Sequence, residues 1–403
     1  MAPLAEDTPL LGILGDLVAF RTTSGGDSNL ALLSYIEAHL EPLGFGFRRT
    51  LSADGQRGNL FASFGGLSGG LLLSGHTDVV PVQGQDWSRP AFALSQADGR
   101  AYGRGVCDMK GFIACVLAAV KSADLRQLGM PLHLAFTYDE EIGCLGVRDL
   151  LADLARHDIQ PAFCIVGEPT SMKVVRAHKG RRGLRCLVQG RAAHSSLAGL
   201  GVNAAEAAAE MAVAIKAQAQ SIRQYQDAGF YVPYSTMAVC RFHSGFAANV
   251  IPEKAELDFD IRYLPAADPD EIMTPVLAAA SAIQDSMRAK DKESSITVQI
   301  KTDVPALMPT AGTQALEALL QSAGASTGDH VAFTTEGGLY QGGGIPTVVC
   351  GPGNIEQAHT ADEFIEISEL LAYQALLARL FAAGLPPPMA RAENPSSLAN
   401  SSP

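Results

Sequence analysis

His76 and Asp78 in GHTDVVP, Asp108 in GRGVCDMKG, Glu140 and Glu141 in TYDEEIG, Glu168 in GEPT and His359 in EQAHTADEF are side chains of the types that bind cations or move protons. Imidazole and carboxylate donors suit zinc. Two such ions about 3.5–4 Å apart need a bridging carboxylate between them. Asp108, short and fixed where a helical pattern begins, is the expected bridge. Two Zn2+ set against Asp108, Glu141 and Glu168 leave one positive charge, which a hydroxide between the ions would cancel. Asp78, two residues after His76, is expected to hold that imidazole by its other ring nitrogen. Neighbouring Glu140 and Glu141 point different ways. Glu141 is therefore assigned to a metal and Glu140 to the attacking water as general base.

These residues need a rigid frame. LLLSGH (71–76), HLAFTY (133–138), AFCIVG (162–167) and IPTVVCG (345–351) are short apolar runs that read as buried strands. Helical patterns span 8–20, 28–42, 109–123, 315–324 and 367–383, with further strands at 45–50 and 59–64. The candidate residues all fall at or just beyond strand ends, where an open α/β sheet binds ligands. The middle of the chain differs. Strand 184–190, helix 203–220, strands 235–242 and 254–263, helix 269–287 and strand 295–301 follow one another. That order, β-α-β-β-α-β, is ferredoxin-like. In 254–263, Leu257, Phe259 and Ile261 alternate with Asp258, Asp260 and Arg262, so one face of the strand is predicted to be buried. The fold class is thus α/β: a helix-flanked mixed sheet (1–180 and 303–385) with an inserted α+β domain (181–302). The Pro/Ser-rich tail 386–403 is expected to be disordered.

The bulk properties narrow the function. A net charge of −12 argues against a nucleic-acid surface. No apolar run is long enough to cross a membrane, and the N-terminus lacks a basic start, so a cytoplasmic protein is expected. Seven cysteines without CxxC spacing read as reduced thiols. GRGVC has neither GK[ST] nor GxGxxG spacing, so nucleotide binding is not indicated. His39, His133, His157 and His330 read as packing or surface residues, and Ser195 and Ser196 beside His194 do not make a triad.

GHTDVVP, YGRGVCDMKG, TYDEEIG, GEPT and AHTADEF together resemble the zinc-dependent acetylornithine deacetylase / succinyl-diaminopimelate desuccinylase / aminoacylase family, over nearly the whole chain to about residue 385. The resemblance implies two zinc ions per subunit, with Co2+ able to substitute. It gives His76 and Glu168 to one zinc, Glu141 and His359 to the other, Asp108 to both, and Glu140 the role of base. It implies a cis Asp108–Met109 peptide and makes the inserted domain a lid through which a homodimer forms. GRAAHSS then makes His194 an oxyanion stabiliser reaching the partner's site, and Asn249 and Arg262 substrate-binding residues, Arg262 for an α-carboxylate. TTEGGLYQ and the His359 segment look most like the acetylornithine deacetylase branch, which serves arginine biosynthesis. On that reading Glu336 would attract the substrate's side-chain ammonium. Desuccinylation of N-succinyl-diaminopimelate, or cleavage of another N-acyl amino acid or dipeptide, stays open. A silent ligand-binding relative would be expected to have lost a ligand or the base, and none is lost.

Overall fold

The alternation of side chains along the apolar strands decides the architecture of the larger domain. In the strand Leu71–His76, Leu71 and Leu73 enter one core while Leu72 enters another. In Phe163–Pro169, Phe163 and Ile165 face one way and Cys164 and Val166 the other. A strand buried on both faces needs helices on both sides. The computed structural model, which describes residues 8–383, supplies them. Pro9–Ala19, Leu30–Leu40, Lys110–Ser122 and Ile367–Ala382 cover one face. Leu145–Arg156 and Gly337–Gly342 cover the other. The six strands run in the order 46–51, 58–64, 132–137, 71–76, 163–169, 347–351. The last four are mutually parallel and 58–64 runs antiparallel to both its neighbours, so the sheet is mixed as expected. The Pro/Ser-rich tail lies outside the described residues.

Residues 180–304 form a separate four-stranded antiparallel sheet in the order 236–244, 254–263, 180–189, 295–304. With the helices Ala204–Ser221 and Pro269–Arg288 this is the ferredoxin-like arrangement. Asn203 caps the first helix by accepting from the Ala205 and Glu206 amides, and Asp268 caps the second. Leu257, Phe259 and Ile261 are buried beneath them with Met211, Ile215 and Val276. The opposite face carries ion pairs, Arg185 and Arg241 on Asp258 and Arg181 and Arg262 on Asp260. The strand Thr236–Ser244 lies at the sheet's edge and is mostly exposed.

Candidate metal centre

The parallel register brings the first donors together. Leu71–His76 pairs with Phe163–Pro169, Ser74 opposite Val166, and two residues further along His76 comes level with Glu168. On the other side His76 pairs with Thr137, just before Tyr138-Asp139-Glu140-Glu141. Asp108 arrives from the turn before the helix Lys110–Ser122, across a cis Asp108–Met109 peptide. His359 arrives from the loop after Thr347–Gly351, with φ of 60°.

The result is two donor groups that share one residue. His76, Asp108 and Glu168 form the first, and Asp108, Glu141 and His359 the second, with the donor atoms of each within 4.8 Å of one another. His76 Nε2 lies 2.9 Å from Asp108 Oδ1 and 3.6 Å from Glu168 Oε1. His359 Nε2 lies 3.2 Å from Asp108 Oδ2 and 3.0 Å from Glu141 Oε1. The two carboxylate oxygens of Asp108 thus face different imidazoles.

The electrostatics point to a cation. Burial pushes Glu168 well above the usual carboxylate range, and the charge of Asp108 adds to it. Burial and Asp108 raise Glu141 to about 7, against the hydrogen bond from His359. Glu140 is also raised by burial; His76 opposes this, while Glu141 and Glu336 reinforce it. Burial alone would raise Asp108, but the two imidazoles hold it below the ordinary value. Crowding carboxylates away from water is costly unless positive charge sits among them. One imidazole nitrogen plus carboxylate oxygens in each group is a donor set that zinc accepts. The residues present therefore fit a pair of divalent ions.

Asp78 sits against the second ring nitrogen of His76, as expected. The His76 Nδ1 partner at 2.9 Å is the backbone carbonyl of Asp78, and the nearer carboxylate oxygen is 3.6 Å away. The Asp78 carboxylate also accepts from the amides of Glu140 at 3.1 Å and Glu141 at 3.3 Å, and from Ser24 Oγ at 2.7 Å. Its side chain fixes the turn that presents the two glutamates. Asp139, at φ 53°, helps to make that turn, held by the Gly25 amide and by Arg57 at 2.6 Å. Neither Ser24 nor Arg57 has a sequence pattern that would have marked it.

The other predicted residues lie apart. His194 is exposed and bonds Ser196, on a two-residue strand opposite Val250 beside Asn249. Among the described residues, none of its hydrogen bonds reaches the cluster. Arg262 donates to Asp260 and, at 3.3 Å, to Thr334. Glu336 lies beneath the cluster. It is 1% exposed, with Ser74 Oγ donating to it at 3.3 Å beside Tyr340. The helix Gly337–Gly342 packs under the sheet, and Glu336 at its start is buried close enough to Glu140 to raise that carboxyl.

Burial pushes Glu336 from 4.5 to about 7, with Thr137, the His76 imidazole and Ser74 opposing it. A raised carboxyl pKa means that the folded protein binds its proton more tightly than the unfolded chain does. Stability attached to this group is therefore full at acid pH and declines as pH rises from about 4.5 to about 7. Glu336→Gln removes that decline. In the metal-free protein the variant is expected to gain about 3 kcal/mol on wild type between acid pH and pH ~8, measured by denaturant unfolding. Parallel pH profiles for the two proteins would contradict this.

Comparison with known proteins agrees with the geometry. Residues 72–383 match the model of peptidase family M20/M25/M40. The chain is 35% identical over 379 residues to an acetylornithine deacetylase of Erwinia tasmaniensis, covering 91% of this chain and 96% of that one. It is 34% identical over 360 residues to an acetylornithine deacetylase of Proteus mirabilis, covering 88% and 89%. Its fold is similar to an M20 family metallo-carboxypeptidase of Sulfolobus solfataricus, with TM-score 0.76 at 18% identity over 93% of this chain and 99% of that one. It is also similar to a dinuclear metal binding peptidase of Bacillus subtilis, with TM-score 0.63 at 16% identity over 93% and 97%. With its two donor groups on that fold, the chain belongs to peptidase family M20/M25/M40 and is a metal-dependent amidohydrolase.

Proposed function

We propose that the chain removes the acetyl group from N-acetyl-L-ornithine, giving ornithine and acetate, as a step of arginine biosynthesis in the cytoplasm. The observation that carries the chemistry is the sharing of Asp108 between two donor groups with Glu140 beside them. The substrate rests on the curated relatives, which are named for it. The seven free cysteines, six of them buried, suit a reducing compartment.

His76, Asp108 and Glu168 would hold one zinc and Asp108, Glu141 and His359 the other, with Co2+ able to replace them. Such a pair polarises an acyl carbonyl and lowers the pKa of water at the site. Glu140 lies in neither donor group, so its carboxylate is left to take the proton of the attacking water and return it to the departing amine. Asp78 keeps Glu140 and Glu141 divided between these tasks through their amides. Arg262 offers its guanidinium to the substrate's α-carboxylate. The test is steady-state hydrolysis of N-acetyl-L-ornithine against N-succinyl-diaminopimelate by the zinc-loaded protein. Turnover of the acetyl substrate is expected to dominate. Turnover of only the succinyl compound would overturn the substrate assignment and keep the site.

We also propose a homodimer formed through the inserted domain, in which His194 and Asn249 of one subunit serve the site of the other. The exposed edge strand Thr236–Ser244, with Phe242 at 45% exposure and Val239 at 36%, offers unpaired backbone for such an interface. His194→Ala and Glu140→Gln proteins, each inactive, should regain activity when their subunits are mixed and allowed to exchange. No recovery, with exchange shown by sedimentation of tagged subunits, would place His194 outside the partner's site.

A further inference from the structure

A second buried carboxylate stands behind the shared aspartate. Glu363 lies four residues after His359, and its side chain and that of Arg104 are each 1% exposed. One oxygen, Oε1, accepts from the amides of Cys107 at 2.9 Å and Asp108 at 3.1 Å. The other, Oε2, accepts from the Gly105 amide at 3.0 Å and from Arg104 at 2.6 Å. Four donors converge on one carboxylate, three of them from the backbone of the turn that carries Asp108. The contact continues to the second imidazole. Arg104 also donates to Gln85 Oε1 at 2.5 Å, and Gln85 Nε2 donates to the backbone carbonyl of His359 at 2.7 Å. Trp87 closes the link by donating to Gln85 and stacking on Arg104.

We infer that Glu363, pinned by Arg104, is the positioning residue that holds the Asp108 turn and the His359 turn in one register. Asp108 and His359 come from segments some 250 positions apart, and their groups must meet within 3.2 Å. A carboxylate on the His359 segment that accepts the backbone amides of the Asp108 turn sets that distance without occupying a donor position. Four charge-assisted hydrogen bonds to one ion also make the arrangement stiff. This inference rests on the two donor groups being metal sites.

The test is titration of the metal-free protein with Zn2+ by calorimetry, with a competing chelator. Wild type is expected to take up two ions, and His359→Ala to lose one of the two steps. If wild type binds none, the metal reading fails rather than this one. Glu363→Gln keeps the shape, but its amide turns an NH2 toward either backbone amides or the guanidinium. It is expected to weaken the step that His359→Ala removes by about 10- to 100-fold. Breaking a buried pair can also prevent folding. Gln85→Leu, which leaves the Glu363–Arg104 pair intact, is therefore the second variant. It is expected to weaken the same step and leave the other unchanged. Arg100→Gln, which breaks the surface pair with Glu366 three residues further along, should change neither step. Wild-type affinities in a folded Glu363→Gln or Gln85→Leu protein, or an equal loss in Arg100→Gln, would overturn the assignment.

Discussion

Glu140→Gln is expected to lower kcat by about 10²–10⁴-fold, the usual contribution of a positioned general base. KM should move little and both metal-binding steps should persist, because Glu140 belongs to neither donor group. The substitution keeps the side chain's length, and its oxygen can still accept from Cys144 Sγ, which lies 3.3 Å from Glu140 Oε1. What it loses is the capacity to take a proton. Steady-state kinetics paired with metal analysis checks this. A variant that loses zinc along with activity would make Glu140 a ligand. A variant with near wild-type kcat would assign the proton transfer elsewhere.

Asp108→Ala is expected to do more damage than any other single ligand change. Every other donor serves one group, whereas Asp108 serves both, one oxygen 2.9 Å from His76 and the other 3.2 Å from His359. Removing it leaves each remaining pair of donors short and takes away the negative charge that would screen two cations from each other. Both zinc-binding steps should weaken together and turnover should fall below that of Glu140→Gln. His359→Ala makes the contrast, since His76, Asp108 and Glu168 remain intact there and one tight ion should stay bound. The pair of titrations separates a shared ligand from an ordinary one. If Asp108→Ala lost only one step, the two groups would not share it.

The donor set was legible in the sequence for a definite reason. His76 and Glu168 end buried parallel strands, Glu140 and Glu141 follow one, and side chains at the ends of such strands converge on one sheet edge. The inserted domain was legible because Leu257, Phe259 and Ile261 alternate cleanly with charges. Four features were not. The helix Leu145–Arg156 hides its apolar side, Val147, Leu150 and Leu154, among charged residues and starts directly after the Glu140 turn from a left-handed Cys144. Glu336 stands in a glycine-rich stretch that reads as loop, and only the packing of Gly337–Gly342 under the sheet reveals that it is buried. The Asp78 carboxylate binds backbone amides 62 and 63 positions away, and amides leave no trace in side-chain types. Glu363 escapes for the same cause, as three of its four donors are backbone amides.

The most direct test of the account is acetate release from N-acetyl-L-ornithine as Zn2+ is added back to metal-free protein. No release is expected without metal, then a rise that levels off once both donor groups are filled, with no such rise in Asp108→Ala. Full acetate release from stripped protein, or zinc bound at both groups without hydrolysis of any N-acyl amino acid, would contradict it.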